Sequence, residues 1–166
     1  MGRHINVGCG QYPIQSPFEN YDINVTSPAA SHAGRPVLYG DAFKLDYAGA
    51  ELVFAGHFLE HQTPEDAHRF IRLVRQQAPA AALVLVVPVL DRCNHPSVDF
   101  KLLQQIVSHY TVYPDAAPGI AHRSWWRTRD VISAVQDAGY GHVSEWPDCP
   151  WLVARVDWQV VLRASA

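Results

Sequence analysis

The sequence is poor in the features that mark a secreted, membrane-spanning or polyanion-binding protein. Its three cysteines, Cys9, Cys93 and Cys149, are an odd number with no C-x-x-C pair. That suits a reducing cytoplasm better than a disulfide framework or a zinc site. No run of Lys and Arg exceeds two residues and the formal net charge is -3, so nothing advertises a nucleic-acid backbone partner. A transient nucleic-acid substrate stays open. The longest apolar run, Ala80 to Val87, is far too short to span a bilayer, so no membrane partner is expected. Gly2-Arg3-His4 leads into a strand and not into the apolar stretch of a secretory leader. The nine histidines include no H-x-H or H-E-x-x-H spacing, so no metal site is expected. Neither an internal repeat nor a low-complexity tail is present.

What is there is a chain of 166 residues, 48% hydrophobic and 17% charged, which predicts a single domain over residues 1–166. Twelve prolines and ten glycines favour a loop-rich chain over a helical bundle. The organising stretch is Ile5-Asn6-Val7-Gly8-Cys9-Gly10, a short apolar strand running into a glycine turn. Glycines there allow a sharp turn and leave no Cβ in a ligand's way. Open α/β sheets use such a turn to present backbone N–H groups to a nucleotide-like ligand. Two prolines between Gln11 and Pro17 make any following helix short or absent.

The strand Asn20-Tyr21-Asp22-Ile23 follows. Asp22 at its end is placed either to accept ribose hydroxyls or to cap a loop. Val37-Leu38-Tyr39 reads as a third strand, running into Gly40-Asp41-Ala42. The Asp41 carboxylate is placed to bond an adenine amino group and Phe43 to cover the ring. Leu52–Ala55 is a fourth, buried strand that opens into Gly56-His57-Phe58-Leu59-Glu60-His61. Thr63, Pro64 and Asp66 predict the start of a helix reaching about Gln77, with Ala67, Phe70, Ile71 and Val74 on its inner face. Arg69, Arg72 and Arg75 are expected in solvent. Leu83–Val87 is a continuously apolar fifth strand ended by Pro88, as in a parallel sheet with right-handed crossovers. Beyond it, helices are expected over Phe100–His109 and Arg129–Ala138, the second capped by Thr128 and stopped by Gly139. His142–Trp146 and Trp158–Leu162 are expected as an antiparallel pair at the sheet edge.

The ordered pieces INVGCG, YDI, GDAFKLDY, LVFAGHFLEH and LVLVVP, over residues 5–90, resemble the class I S-adenosylmethionine-dependent methyltransferases. More narrowly they look like the small "type 11" branch found in bacteria and phages. The resemblance implies an α/β fold with a doubly wound, mostly parallel, Rossmann-like sheet. Residues 1–90 would form the cofactor-binding half and residues 91–166 the acceptor-side half. It further implies S-adenosylmethionine as cofactor, with S-adenosylhomocysteine as product. Gly8, Cys9 and Gly10 would make room for the methionine part, Asp22 and Ile23 would hold the ribose side, and Asp41, Ala42 and Phe43 the adenine. Gly56 and His57 would lie beside the sulfonium. Two departures stand out. Asn6 replaces the family's acidic residue before the glycine turn, and can hydrogen-bond to the cofactor but adds no charge. The chain also begins at the first strand, where relatives carry a helical lid. An open cofactor site is expected, or one covered by a second copy of the chain or a partner subunit.

Methyl transfer needs a base only when the acceptor holds a proton. His57 and His122 are the expected catalytic residues, with His61 and Asp91 as further candidate bases. His61 beside Glu60 also reads as a structural capping pair. An acceptor pocket is expected around His122, Arg123, Trp125 and Trp126, where aromatic packing under a loop is the competing reading. The fourth strand ends without an Asp/Asn/Ser-Pro-Pro-Tyr/Phe motif, which disfavours amino methylation of adenine in DNA. No Pro-Cys dipeptide is present to attack a cytosine ring. A small molecule or a side chain is the expected acceptor. A non-catalytic cofactor-binding module or subunit is the rival reading. A nicotinamide enzyme is disfavoured because the glycine pattern stops short.

Overall fold

The computed structural model describes residues 2–10, 12–24, 31–32, 35–92, 123–152 and 159–166. Its centre is β1 (Arg3–Val7), which pairs in parallel with β2 (Phe18–Asp22) on one side and with β6 (Ala50–Gly56) on the other. The short β3 (Ser31–His32) and β4 (Arg35–Pro36) form a separate antiparallel ribbon, and β5 (Leu38–Tyr39) adds to the outer side of β2. Beyond β6 come β7 (Ala82–Pro88), then β9 (Gln159–Ser165), then β8 (His142–Glu145). The seven-stranded order is therefore β5-β2-β1-β6-β7-β9-β8. Only β9 runs against its neighbours. The mostly parallel α/β sheet agrees with the expected fold class.

Helix α1 (Pro64–Gln77) starts where the sequence predicts, because Thr63 Oγ1 accepts a bond from the Asp66 amide at 3.2 Å and Pro64 occupies the first turn. Its inner residues Ala67, Phe70, Ile71 and Val74 are all fully buried against β1, β6 and β7. Burying such side chains stabilises by about 1.5–3 kcal/mol for each large one. Helix α2 (Thr128–Asp137) packs Val131, Ala134 and Val135 into the same core. The expected cap at Thr128 is replaced. Thr128 is the first helical residue, and its amide donates to Asp91 Oδ1 at 2.9 Å. That bond holds the Asp91 carboxyl below its ordinary range, although burial works the other way. Asp91, a candidate base by sequence, is thus engaged at the helix start. Gly139 ends α2 at φ 92°, a left-handed value that glycine adopts without a Cβ penalty. Arg75 is not simply solvated either, since it lies 5.4 Å from the Tyr140 ring centroid and donates to the Gly139 carbonyl.

Both described helices cover one face of the sheet. The other face carries Phe18, Leu52, Phe54, Val84, Val86 and Val161, roofed by Ile14, Trp146, Cys149, Trp151 and Leu152. Trp151 is the hub of that roof, with ring contacts to Phe18, Phe54 and Trp146 at 5.0–6.0 Å. Asn6, on this face of β1, donates its side-chain N–H to Asn20 Oδ1 at 2.9 Å, and Asn20 in turn bonds Ile14 through both N–H and C=O. A buried amide pair thereby fastens the loop after the glycine turn to the sheet.

The edge pair β8–β9 is antiparallel, as expected, but β9 lies inside the sheet and only β8 at its border. The helix expected over residues 100–109 lies outside the described residues, as does His122. Trp126 corrects the expected acceptor pocket. It is 4% exposed, joins the core cluster, bridges to Val89, and donates its indole N–H to Ser124 Oγ at 2.8 Å. Trp126→Ala is therefore expected to cost roughly 3–5 kcal/mol of stability in urea denaturation, the range for truncating a core tryptophan. A loss below about 1 kcal/mol would return Trp126 to the surface.

Candidate functional site

The carboxyl ends of β1, β2, β5 and β6 are neighbours, and each carries a residue group singled out by sequence. After β1 the chain turns through Gly8 and Gly10 at φ 66° and 49°. The amides of Gly8 and Cys9 both donate to the Tyr21 carbonyl of β2, at 2.9 and 3.2 Å. The two glycines do different work. A Cβ on Gly8 would come within 2.8 Å of the Phe58 ring, whereas a Cβ on Gly10 would meet nothing within 4 Å. Phe58 thus adds a packing reason for glycine at 8 beside the one expected from the sequence. Gly10 borders open space. Cys9 between them is buried, and burial with the nearby Asp22 pushes its thiol up to about 12, so it is inert as a nucleophile.

Asp22 ends β2 and performs the loop-capping role in full. Its Oδ2 accepts from the Gly10 amide and its Oδ1 from the Asn24 amide, both at 2.8 Å. A carboxylate has about four acceptor sites, so two remain for a further donor. Ile23 beside it is 40% exposed. After β5, Asp41 accepts from the Phe43 amide at 3.0 Å and pairs with Lys44 at 3.1 Å. Burial opposes the charge, but the Phe43 amide and Lys44 outweigh it and hold the Asp41 carboxyl below its ordinary range. Ala42 is buried and its carbonyl takes the Tyr47 hydroxyl at 2.7 Å. Phe43 is half-buried with the Arg69 guanidinium 4.9 Å from its centroid, so Arg69 is a ring partner as well as a surface charge. Asn6, 2% exposed, spends its side-chain N–H on Asn20.

After β6, Gly56 leads into His57, the only described non-glycine residue with a left-handed backbone, φ 55°. Its amide still donates to Val86 of β7 at 2.8 Å, and the left-handed turn swings the side chain out of the strand. Such a conformation costs about 1–2 kcal/mol and often marks a working site. Nδ1 lies 2.9 Å from Glu60 Oε1 and Nε2 lies 3.2 Å from Gln159 Oε1. Burial lowers the proton affinity of this imidazole, but the bond and charge of Glu60 more than reverse that, so it protonates above its ordinary range.

Glu60 sits in the one-turn helix Leu59–His61 with its side chain only 2% exposed. Its main-chain carbonyl accepts from the amides of Arg123 and Ser124 at 2.6 and 3.2 Å. The segment at Arg123–Ser124 is thereby registered on the turn that carries the His57 partner. His61 is half-buried in the same turn, and Arg123 is exposed with Trp125 half-buried beside it. Sequence reading paired Glu60 with His61; the structure pairs it with His57, three residues away on the same turn. Gln159 was missed outright, and no local signal announces a partner 102 residues distant.

No family model matches the chain, and no curated protein matches it. Solved structures do. An O-methyltransferase family protein from Burkholderia thailandensis shares 16% identity at a TM-score of 0.63, covering 99% of this chain and 51% of that one. An apo S-adenosylmethionine-dependent methyltransferase shares 19% identity at a TM-score of 0.62, with 99% and 50% covered. The Synechocystis magnesium protoporphyrin IX methyltransferase with bound S-adenosylhomocysteine shares 15% identity at 0.57, with 99% and 74% covered. The chain thus spans about half the length of several structures it matches. Its fold is that of the class I S-adenosylmethionine-dependent methyltransferases. No described helix is long and apolar enough to cross a membrane.

Two outcomes follow from this geometry. Gly8→Ala adds a clash with Phe58 to left-handed strain, so it should lose about 1–3 kcal/mol more in denaturant titration than Gly10→Ala, which carries strain alone. The second concerns pH. Because the folded His57 binds its proton more tightly than an ordinary imidazole, which titrates at about 6.5, its contribution to stability is complete below that pH and is lost as pH rises through the raised value. The melting-temperature gap between the wild type and His57→Asn should accordingly narrow from pH 6.5 upward. Asn tolerates the left-handed backbone. A constant gap would show that the pair with Glu60 carries no pH-linked stability.

Proposed function

We propose that this protein is an S-adenosylmethionine-dependent methyltransferase acting on a small molecule or a side chain. The supporting observation is the adjacency of four parallel strand ends that carry Gly8–Gly10, Asp22, Asp41 and Gly56–His57. Open α/β sheets bind ligands outside such ends. The residues fit the cofactor in two respects: Gly10 borders a space that a Cβ would enter, and Asp22 keeps two acceptor sites after capping the loop. In this reading Asn6, Gly8, Cys9 and Gly10 serve the methionine part, Asp22 and Ile23 the ribose, Asp41, Ala42 and Phe43 the adenine, and Gly56 and His57 the sulfonium side. When bound, the cofactor supplies an electrophilic methyl on a cationic sulfur. The protein contributes orientation, and His57 with His122 are the proposed catalytic residues. The cysteine usage agrees with a cytoplasmic setting.

The rival reading is a non-catalytic cofactor-binding module that needs a partner subunit or a second copy. Calorimetry separates the readings. S-adenosylmethionine and S-adenosylhomocysteine should both bind, and Asp22→Ala should weaken them by roughly 1.5–3 kcal/mol, about 10- to 150-fold in Kd. Failure of either to bind at millimolar concentration would remove the proposal. Binding of both with no release of S-adenosylhomocysteine, across hydroxyl, amine and carboxylate acceptors, would favour the module.

A further inference from the structure

From the His57–Glu60–Gln159 arrangement we infer that the methyl acceptor is a hydroxyl compound, an alcohol or phenol, whose proton passes to His57 Nε2, with Gln159 holding that position in its absence. The inference rests on the methyltransferase reading and adds the acceptor class and two positioning residues, Glu60 and Gln159. It begins with a cost. The Glu60 side chain is 2% exposed, and its Oε2 is a buried oxygen with no hydrogen-bond partner. A buried carboxylate is unfavourable by several kcal/mol unless it is well paired. Its partner through Oε1 is the half-exposed His57 Nδ1. A neutral Gln at position 60 would satisfy a merely structural turn, so the charge itself requires an explanation.

That explanation is tautomeric. A carboxylate accepts only, so it fixes the His57 proton on Nδ1 and leaves Nε2 with a lone pair. Nε2 then faces Gln159, at the start of β9 on the same edge of the sheet as the strand-end residues. A side-chain amide can present either an oxygen or an NH2, so Gln159 matches Nε2 whether or not that nitrogen is protonated. At 3.2 Å the contact is long enough for an acceptor hydroxyl to replace it. Among the described residues, Glu60 from its own turn and Gln159 from β9 bond the two ring nitrogens of His57. Behind Gln159 the Arg92 guanidinium, paired with Glu145, holds its carbonyl at 3.2 Å.

The acceptor class follows from proton accounting. A neutral amine gains a methyl as an ammonium that can shed its proton afterwards, and a carboxylate has no proton to lose. A methylated hydroxyl that kept its proton would be a strongly acidic oxonium, so the proton must leave as the bond forms. The O–C bond forms, the S–C bond breaks with its electron pair on sulfur, and the hydroxyl proton ends on Nε2, from which solvent removes it. Glu60 stabilises the resulting imidazolium.

The test uses the full chain with nitrogen-15-labelled histidine. Long-range proton–nitrogen spectra at a pH where His57 is neutral should show its proton on Nδ1. Glu60→Gln should lower the titration midpoint of His57, while Gln159→Leu should preserve the Nδ1-protonated form. Catechol should shift the Nε2 resonance and aniline should not. An Nε2-protonated neutral form, or an unchanged midpoint in Glu60→Gln, would overturn the assignment. A catechol-insensitive Nε2, or one that responds to aniline alone, would overturn the hydroxyl class. Calorimetry with S-adenosylhomocysteine on the same samples separates the two levels. Loss of that binding defeats the methyltransferase reading itself, whereas intact binding with the wrong tautomer defeats this inference alone.

Discussion

The structure depends on the register of β1 between β2 and β6. Residues Ile5, Asn6 and Val7 stand level with Glu19, Asn20 and Tyr21 on one side, and Ile5 and Asn6 with Val53 and Phe54 on the other. Parallel strands paired in this way end together, so the glycine turn, Asp22 and His57 emerge along one rim. Side chains alternate faces, so a one-residue slip would send Ile5 and Val7 away from the helices and Asn6 toward them. The Asn6–Asn20 bond is an additional lock on that register, because it forms only when the two residues are opposite.

Much of this was legible in the residues. Thr63-Pro64 and the apolar face of α1 set the helix over Pro64–Gln77, and its start needed no tertiary information. The apolar β6 and β7 and the polar-tipped β2 ended as expected because parallel strands carry their polar residues at the rim. What was not legible shares one physical origin, which is contact between residues far apart in sequence. Trp126 read as part of a pocket because nothing local says that Val89 and Ser124 receive it. The bond from the Thr128 amide to Asp91 joins residues 37 apart, and nothing near Asp91 in the sequence announces it. The Phe58 ring that crowds Gly8 comes from the loop after β6 and is equally silent in the local sequence.

The two faces of the sheet are stabilised differently. On the helix side, aliphatic rows from α1 and α2 mesh with Ile5, Val53, Leu83 and Leu85. On the other, edge-to-face aromatic contacts through Trp151 do the corresponding work with irregular backbone. Aromatic rings bury large areas per residue, which lets a short loop roof several strands. Such a roof carries less backbone hydrogen bonding than a helix, and its order depends on a few large side chains.

The antiparallel β9 has a consequence for how the molecule comes together. Lying between β7 and β8, it is the only sheet partner of β8 among the described residues and closes the long-range ladder from Leu83 to Pro88. Sequence-earlier β8 therefore has nothing to pair with until this later strand arrives. The same strand brings Gln159 to His57. Completion of the sheet and delivery of Gln159 to the imidazole are a single event, so a chain that has not yet inserted β9 has its strand-end rim without the amide that bonds His57 Nε2.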